Sequence, residues 1–424
     1  RYVANPGRGG GKGGGKRDGG RATGWNDGEE RRYERKAGDE DVTLERKFDI
    51  DILQPGESRV GYMFNMKPTR HYDEGGRQLS GLVLYFLQRD GRTFRCTFLY
   101  RPYFYVKVNA RENFEQMRDI LAQRFENEGV HAEVVDKEDL DMEDHIVGRR
   151  RRLIKLSFNN TEGANKASRN LLSEIKKNTK KLEFAAFDGT GKKDRTSAMD
   201  GIEDLFEHDV EVVNRICIDN KINCGKWFQV TRNQLATSSD NIWDTQSTVT
   251  DLPEMLYKPG LRIFAWDIEC TKEPLKFPDS AHDRITLISI MVDGSGFLIV
   301  NRAEVSADIE PLEYTPKPEY EGIFETFNEP DEASLLRRFF TLIRETSPHV
   351  MVTFNGDFFD MPFVTQRAKV YNLDWTAESG IAKMERGDYY AGQWIVHLDC
   401  FCWVQRDSYL PCGARGLKAV TRYK

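Results

Sequence analysis

The chain has 424 residues, of which 39% are hydrophobic, 31% charged and 11% aromatic, and these values exclude a minimal peptide module and a wholly disordered chain. The 62 Lys and Arg residues against 68 Asp and Glu give a net charge of -6, so no overall basic field draws the chain onto nucleic acid or lipid. Because the sequence contains neither an apolar run of 18 residues nor a signal peptide, we expect an intracellular protein with no membrane partner.

The first 43 residues predict a disordered tail. They contain the Gly-rich and basic run RGGGKGGGKRDGGR followed by a densely charged stretch, which has too few apolar groups to offset the entropy of ordering. Such a tract can contact the phosphates of RNA or DNA. A solvated linker is the favoured interpretation.

Strand patterns begin after residue 44. Leu82–Leu87 and Thr93–Tyr100 flank an Asp-Gly turn and predict a hairpin. A β-α-β-β-α order follows, which is the ferredoxin-like pattern, with strands at Pro102–Val108, Ala132–Lys137 and Leu153–Phe158 and helices at Glu112–Glu128 and Ala164–Lys177.

RNA-recognition modules share this pattern, so the aromatics of PYFYV and Arg149–Arg152 could stack on and pair with a single strand. The favoured alternative is that these aromatics are sheet core and that the arginines form a solvated face.

The next part of the chain predicts less regular structure. Residues 178–206 are interpreted as a polar, flexible insertion, and VEVVNRICI and KWFQVT as two strands. Residues 232–258 are rich in Ser, Thr and Asp and predict a flexible linker. We therefore expect a mixed α+β domain over 44–258 and a second domain over 259–424.

The second domain opens with the strand Leu261–Cys270, which carries Asp267 and Glu269 two residues apart. Positions i and i+2 of a strand project from the same face. Adjacent carboxylates in an apolar strand repel each other unless a cation lies between them. An oxygen-seeking Mg²⁺ or Mn²⁺ fits this arrangement.

The following elements predict a ribonuclease-H-like α/β layer. Two strands, Arg284–Val292 and Gly296–Val300, complete a meander, and an amphipathic helix spans Glu329–Thr346. A buried strand, Val350–Phe354, then leads into a helix opened by Pro362. Asn355 and Asp360 fall at the carboxyl end of that strand and at a helix N-terminus, where ligands of open α/β sheets bind. Asp360 thus supplies a third carboxylate.

Two segments around these carboxylates resemble known motifs. FAWDIECTK resembles the first exonuclease motif of the family B DNA polymerases, and NGDFFDMPF resembles the second. The strings PLKFPD, TPKPEYEG, FNEPDEA and RDSYLPCG extend the resemblance over Leu261–Lys424 and narrow it to one replicative branch of the family. Over 44–258 the resemblance is looser, through GYMFNMKPT, PYFYV and KEDLD.

The resemblance implies a proofreading 3′–5′ exonuclease that acts on the single-stranded 3′ end of a primer-template. Asp267, Glu269 and Asp360 would hold two Mg²⁺ or Mn²⁺ ions, one activating a water and the other steadying the departing 3′ oxygen. In the DFFD run, Asp360 is preferred over Asp357 as the ligand, and Asp357 is expected to stay in solvent.

Nucleic-acid contacts are implied for five further residues. Asn355 would hydrogen-bond the terminal nucleotide, and Phe358 or Phe359 would stack on the frayed bases. Phe277 and Pro278 would wall the same channel. The alternative for the aromatics, ordinary core residues in a loop, remains open.

The sequence departs from the family pattern at two places. No Tyr is followed four residues later by Asp, as the third exonuclease motif requires, and Asp399 is the nearest stray carboxylate. The simplest interpretation is that the chain ends before that motif, which leaves the domain over 259–424 incomplete at its C-terminus. Trp266 and Cys270 also stand where the family has Phe and Thr, but neither change removes a ligand.

Other implied properties lie outside these residues. The polymerase palm motifs are missing from the sequence, and an iron-sulfur cluster, zinc and most contacts with other polymerase subunits are implied only for regions beyond Lys424. The resemblance implies a nuclear protein of DNA replication and repair. Two alternatives are a non-catalytic nucleic-acid-binding fragment with an incomplete metal site and a stand-alone exoribonuclease.

The seven cysteines are scattered and predict reduced thiols. A metal site built from Cys400, Cys402, Cys412 and His397 is a disfavoured alternative, because their spacing matches no known zinc pattern.

Overall fold

The computed structural model describes residues 44–73, 75–109, 111–138, 148, 150–187, 197–233, 243, 247–305, 322–384, 387–406 and 415–423. The tail predicted to be disordered, residues 1–43, lies outside this range. The described residues from Glu45 onward belong to one compact unit, which contains every element below.

The first sheet has six strands in the order β1-β4-β3-β2-β9-β10. The predicted hairpin is confirmed as β3 and β4, which pair antiparallel from Gly81–Leu99 to Leu87–Thr93. Strand β3 is almost wholly buried, and Leu82, Leu84 and Phe86 on one of its faces belong to the apolar core of this sheet. The strands are β1 Ile50–Ile52, β2 Ser58–Tyr72, β3 Gln78–Leu87, β4 Thr93–Leu99, β9 Trp227–Arg232 and β10 Ser247–Asp251.

The second group of elements confirms the ferredoxin-like prediction. Four antiparallel strands in the order β6-β7-β5-β8 are joined by two helices, α1 and α2. Alternating apolar residues of β5 and β7 pack with Leu121 and Leu171 of the helices to form its core. The elements are β5 Tyr103–Val108, α1 Phe114–Arg124, β6 His131–Glu138, β7 Arg150–Ser157, α2 Thr161–Phe187 and β8 Ile202–Phe206.

Two secondary-structure predictions were wrong here. The supposed insertion at 178–206 contains the end of α2 and the whole of β8, because Asn178 is buried and donates to the carbonyls of Met199 (2.8 Å) and Ile202 (3.2 Å). The supposed strand VEVVNRICI is a helix, α3 (Val212–Asn220), in which Val212 and Ile216 lie four residues apart and pack on the first sheet.

The supposed linker 232–258 also contains regular structure. Strand β10 lies within it and pairs antiparallel with β9, from Ser247–Arg232 to Asp251–Phe228. All strands of the first sheet and of the ferredoxin-like sheet precede residue 258, and the domain boundary placed there stays a prediction.

The last large sheet confirms the ribonuclease-H-like prediction. Its order is β14-β13-β12-β11-β15-β18, with β11, β12 and β13 forming the antiparallel meander and β15 and β18 lying parallel to β11. The carboxyl ends of β11, β15 and β18 therefore meet at one edge. The strands are β11 Ile263–Cys270, β12 Ile285–Val292, β13 Ser295–Asn301, β14 Phe324–Glu329, β15 Val350–Thr353 and β18 Val396–Asp399.

Helices cover this sheet. Helix α4 (Glu332–Thr346) begins where the Asp331 side chain accepts from Ser334 N at 2.7 Å, and it buries a stripe that includes Leu335 and Phe339. Each such side chain contributes about 2 kcal/mol through burial. The remaining elements are α5 Asp360–Val370, α6 Trp375–Ser379, β16 Ile381–Lys383, β17 Tyr390–Gly392, α7 Cys400–Arg406 and α8 Leu417–Tyr423.

None of the helices in the described residues combines the length and apolarity needed to cross a membrane.

Candidate metal and nucleic-acid site

Asp267 and Glu269 project from one face of β11. Both side chains are exposed, whereas Trp266 and Ile268 between and beside them are buried. The two-residue period of a strand produces this separation, as the sequence predicted. Ala265 pairs with Val352 near the end of β15, so Asp267 lies level with the loop that follows β15.

Asp360 is the first residue of α5 and is only 2% exposed. Its carboxyl group accepts from Ile268 N at 3.2 Å and hydrogen-bonds the carboxylate of Asp267. Burial, followed by the negative charge of Asp267, raises the pKa of Asp360 to about 7. Burial also raises the pKa of Asp267. Below about pH 7 we therefore expect the two carboxyl groups to share one proton.

A divalent cation fits this pair, because it would neutralise the repulsion between the buried carboxylate of Asp360 and the exposed carboxylate of Asp267. Glu269 stands on the same strand face, but among the described residues it does not bring a third ligand atom within 4.8 Å of those of both Asp267 and Asp360. The structure thus joins two of the three predicted ligands directly and leaves the third beside them.

The thiol beside this pair is inert. Burial, followed by the negative charge of Asp283, raises the pKa of Cys270 to about 11. Cys270 therefore remains a neutral thiol at physiological pH.

Asn355 follows β15 and starts the loop that leads to Asp360. Its φ is +68°, a left-handed conformation that Asn tolerates better than most residues. The next residue must be glycine, because a Cβ on Gly356 would lie 2.4 Å from Thr353 Oγ1. The loop conformation is thus set by the sequence NG as well as by the contacts around it.

The four predicted channel residues lie together only in part. Phe277 is 78% exposed and meets the ring of Phe359 edge-on, with centroids 5.4 Å apart. Pro278 beside it is half-buried, and Phe358 is 59% exposed. Phe359 itself is half-buried and also packs on the buried ring of Phe363, with centroids 5.7 Å apart. Phe277 and Phe358 therefore offer exposed rings to a base, whereas Phe359 is partly a core residue.

Asp357 does not stay in solvent, and that prediction was wrong. Its side chain is buried and accepts from Tyr390 N at 2.7 Å, with Nδ1 of His397 3.6 Å away. A backbone N–H from the β16–β17 hairpin therefore satisfies it. That hairpin is distant in sequence, so the DFFD run alone could not reveal the contact.

Asp399, the nearest carboxylate that could have replaced the missing ligand, does not join Asp267 and Asp360 in a group of ligand atoms among the described residues. It is buried at the end of β18 and accepts from Asn355 N (2.7 Å), Asp357 N (3.2 Å) and Phe401 N (2.9 Å). Its carboxylate therefore binds backbone amides.

The cysteine and histidine metal site is not supported by the described residues. Cys402, Asp357 and Asp399 place ligand atoms within 4.8 Å of one another, but both carboxylates already accept backbone N–H groups. His397 Nδ1 lies 2.9 Å from Tyr390 O and Nε2 lies 3.0 Å from Thr353 Oγ1, so neither nitrogen points freely at a cation. Cys412 lies outside the described residues. The six cysteines that are described are free thiols, as predicted.

One buried ion pair that supports the site escaped the sequence reasoning. Glu332, at the start of α4, binds Arg367 of α5 through both oxygens, at 2.9 and 2.6 Å. The same carboxylate accepts from Ile285 N at 2.9 Å, and Arg367 reaches the carbonyl of Ser280 at 3.3 Å. The pair therefore links the helix that carries Asp360 to the loop that carries Phe277. Because Glu332 and Arg367 are 35 positions apart in the sequence, no local sequence pattern indicates that they pair.

The aromatic face of the ferredoxin-like sheet is already occupied. Lys155 and Arg215 stack on Tyr103, with the cations 4.6 and 4.4 Å from the ring centroid, and Lys137 stacks on Tyr105 at 4.1 Å. Arg152 pairs with Asp136 at 3.4 Å. These contacts favour the structural interpretation of this face over single-strand binding.

Comparison with known proteins now identifies the family. A sequence profile of the DNA polymerase family B, exonuclease domain, matches residues 203–420, so the chain belongs to this family. The fold agrees: the family B DNA polymerase from the hyperthermophilic archaeon Pyrobaculum calidifontis superposes with a TM-score of 0.54 at 17% identity, over 85% of this chain and 39% of that one.

The branch that the sequence strings indicated is also confirmed. The DNA polymerase epsilon catalytic subunit of Eremothecium gossypii is 42% identical over 374 residues, and the proteins of the same name from Saccharomyces cerevisiae and Emericella nidulans are 40% and 43% identical. The alignments cover 86–89% of this chain but 16–17% of those relatives, and they fall on the N-terminal and exonuclease part.

Proposed function

We propose that this chain removes nucleotides from the single-stranded 3′ end of DNA and that it proofreads for a replicative DNA polymerase in the nucleus. The observation that carries the proposal is the pair Asp267 and Asp360, two carboxyl groups brought together from β11 and the start of α5 beside the aromatic residues Phe277 and Phe359. The names of the relatives support the polymerase context.

Asp267, Asp360 and Glu269 would hold two Mg²⁺ or Mn²⁺ ions. Bound divalent ions make water nucleophilic near neutral pH and neutralise charge on both the attacking and the leaving oxygen of a phosphodiester. The site needs no Ser, Cys or His nucleophile for this chemistry. The proton shared by Asp267 and Asp360 would leave when cations bind, since ligating carboxylates must be ionised.

The neighbouring residues would orient the DNA end. The Asn355 side chain would hydrogen-bond the terminal nucleotide, and Phe277, Phe358 and Phe359 would stack on or wedge between unpaired bases. Such stacking contributes about 1–3 kcal/mol per base and is tolerant of sequence. Pro278 would stiffen the wall of the channel through its fixed φ. Most contacts with other polymerase subunits would lie in the regions of the relatives that this chain does not cover.

The test uses the full-length protein and single-stranded DNA labelled at the 5′ end. With Mg²⁺ we expect a ladder of products shortened from the 3′ end, and with EDTA none. Asp267→Ala and Glu269→Ala should remove the ladder without affecting DNA synthesis. Asp374→Asn, an exposed carboxylate that starts α6, serves as the matched control.

Three outcomes would contradict the proposal. Trimming by Asp267→Ala at the wild-type rate would show that the carboxylates are misassigned. Tight binding of single strands without any cleavage in Mg²⁺ or Mn²⁺ would favour a non-catalytic binding role, and faster cleavage of RNA than of DNA would favour an exoribonuclease.

A further inference from the structure

The loop from Asn355 to Phe359, here called the motif loop, carries three residues of the proposed DNA channel and leads directly into Asp360. Its path is unusual because Asn355 has a φ of +68°, a conformation that costs a non-glycine residue roughly 1–2 kcal/mol. The Asn355 carbonyl then accepts from Phe358 N (3.2 Å) and Phe359 N (3.1 Å). The conformation of one residue therefore sets the direction of both phenylalanines.

Asp399 is placed to hold this conformation. It ends β18, the strand next to β15, and its Cα pairs with that of Thr353 just before the motif loop. One carboxylate oxygen accepts from Asn355 N at 2.7 Å, and the other accepts from Asp357 N at 3.2 Å. The first oxygen also accepts from Phe401 N, which fixes the carboxylate against α7.

The hydrogen bonds that the Asp399 carboxylate accepts are stronger than hydrogen bonds between neutral groups. Asp399 is 6% exposed, and among the described residues it forms no ion pair with a Lys or Arg side chain. Hydrogen bonds from backbone N–H groups to a carboxylate are roughly twice as strong as neutral ones. Two of the three donors, the N–H groups of Asn355 and Asp357, lie in the motif loop, so loss of these bonds should alter the conformation of that loop first.

We infer that Asp399 is a positioning residue, which holds Asn355 and the rest of the motif loop in the conformation that receives the 3′-terminal nucleotide. This inference rests on the proposed exonuclease function. The hydrogen bonds of Asp399 are to backbone N–H groups, two of them in the motif loop, so it would act on the DNA end through Asn355 and the loop.

The variants are Asp399→Asn and Asp399→Ala in the full-length protein. Asp399→Asn keeps the shape and one acceptor oxygen but turns an amide N–H₂ toward backbone donors, whereas Asp399→Ala removes both acceptors. Asp374→Asn is the matched control, because Asp374 also accepts two backbone N–H groups, at 2.9 and 3.3 Å, at the start of a helix in the same domain.

Three readouts separate positioning from general stability. The first is amide hydrogen exchange of the peptide spanning 351–362. The second is the affinity for a single-stranded oligonucleotide in EDTA, measured by fluorescence anisotropy. The third is a double-mutant cycle with Asn355→Ala, which shows whether the two residues act together.

We expect faster exchange in the motif loop and affinity weakened about 10–100-fold, the range for supporting partners of a functional site. In the Asn355→Ala background the Asp399→Asn change should weaken binding by a smaller factor than it does in the wild type. Asp374→Asn should change none of the three readouts.

Unchanged exchange and affinity in Asp399→Asn would overturn the inference, as would full additivity with Asn355→Ala. If Asp399→Ala does not fold, the Asp399→Asn cycle still decides. Failure of the wild-type protein itself to bind or trim 3′ ends would instead overturn the proposed function, so the two failures are distinguishable.

Discussion

Two pairs of aspartates lie near the same edge of the ribonuclease-H-like sheet, and they differ in what satisfies them. Asp267 and Asp360 hydrogen-bond each other, whereas Asp357 and Asp399 accept backbone N–H groups from neighbouring segments. Asp360, Asp357 and Asp399 are all buried. Burial of a carboxylate therefore does not mark a metal ligand. Asp357 and Asp399 also place carboxylate oxygens within 4.8 Å of each other, but these carboxylates accept backbone N–H groups. A metal site is better indicated by carboxylates that face each other, as Asp267 and Asp360 do, because a cation can neutralise their repulsion.

The largest expected effect separates the two aspartates of the DFFD run. Asp360→Asn should lower the rate of 3′-end trimming by more than about 100-fold, the upper limit for loss of a supporting partner. Asp357→Asn should lower it far less, since Asp357 bonds the Tyr390 amide. Single-turnover cleavage of labelled DNA measures both. Equal losses in the two variants would erase the distinction between the pairs.

The second prediction concerns pH in the absence of divalent ions. The pKa of Asp360 is about 7 in the folded chain against 3.8 when unperturbed, so between these values the folded state binds more protons than the unfolded state. The free energy of unfolding should therefore fall as pH rises from about 4 to 7, by an amount on the order of a few kcal/mol.

Urea unfolding in EDTA at pH 5 and pH 8 tests this fall. Asp360→Asn should reduce it, and Mg²⁺ should raise the stability of the wild-type protein more at pH 8 than at pH 5. The same pH dependence in wild type and Asp360→Asn would show that the shared proton does not exist.

The third prediction is a loss of stability without a loss of cation binding. Asp357→Asn replaces a buried acceptor of the Tyr390 amide by a group that can also present a donor there, and a poorly satisfied buried polar group costs about 1–3 kcal/mol. The midpoint of urea unfolding should therefore fall. The affinity for Mn²⁺ should stay within about twofold, far less than the tenfold change that 1.4 kcal/mol produces, because Asp357 is not one of the proposed ligands. A variant as stable as wild type would show that this contact contributes little.

The smallest effect is expected at the exposed aromatic surface. Phe277→Ala should weaken binding of a single-stranded oligonucleotide by about 1 kcal/mol, the lower end for one stacked base. Its stability should change by less than about 0.5 kcal/mol, as for most surface substitutions. Ile323→Ala, at another exposed apolar residue, is the control. Unchanged DNA affinity in Phe277→Ala would place the DNA channel elsewhere.

Local patterns predicted the parts of the fold that depend on local spacing. The two-residue alternation of β11 put Asp267 and Glu269 on one face, and the order of strands and helices indicated both the ferredoxin-like and the ribonuclease-H-like arrangements. Helix α3 was mistaken for a strand because Val212, Val213, Ile216 and Ile218 are β-branched. Their helical spacing matters only once the first sheet is present to pack against.

Long-range contacts were beyond the sequence patterns. Whether Asp357 is solvated or buried depends on an amide 33 residues away, and the orientation of Asn355 depends on Asp399, 44 residues away. Nor could composition show that Lys155 and Arg215 cover Tyr103. In each case one side chain was visible in the sequence, and the partner that decides its role was not.

The most direct test of the metal assignment is a titration of Mn²⁺ followed by electron paramagnetic resonance, on wild type, Asp360→Asn and Asp357→Asn. At about pH 7.5 the carboxyl group of Asp360, with a pKa of about 7, is largely ionised. We expect wild type and Asp357→Asn to bind Mn²⁺ alike and Asp360→Asn to lose the tight component. Loss of binding in Asp357→Asn with retention in Asp360→Asn would contradict the assignment and would move the metal site to the Asp357 and Asp399 pair.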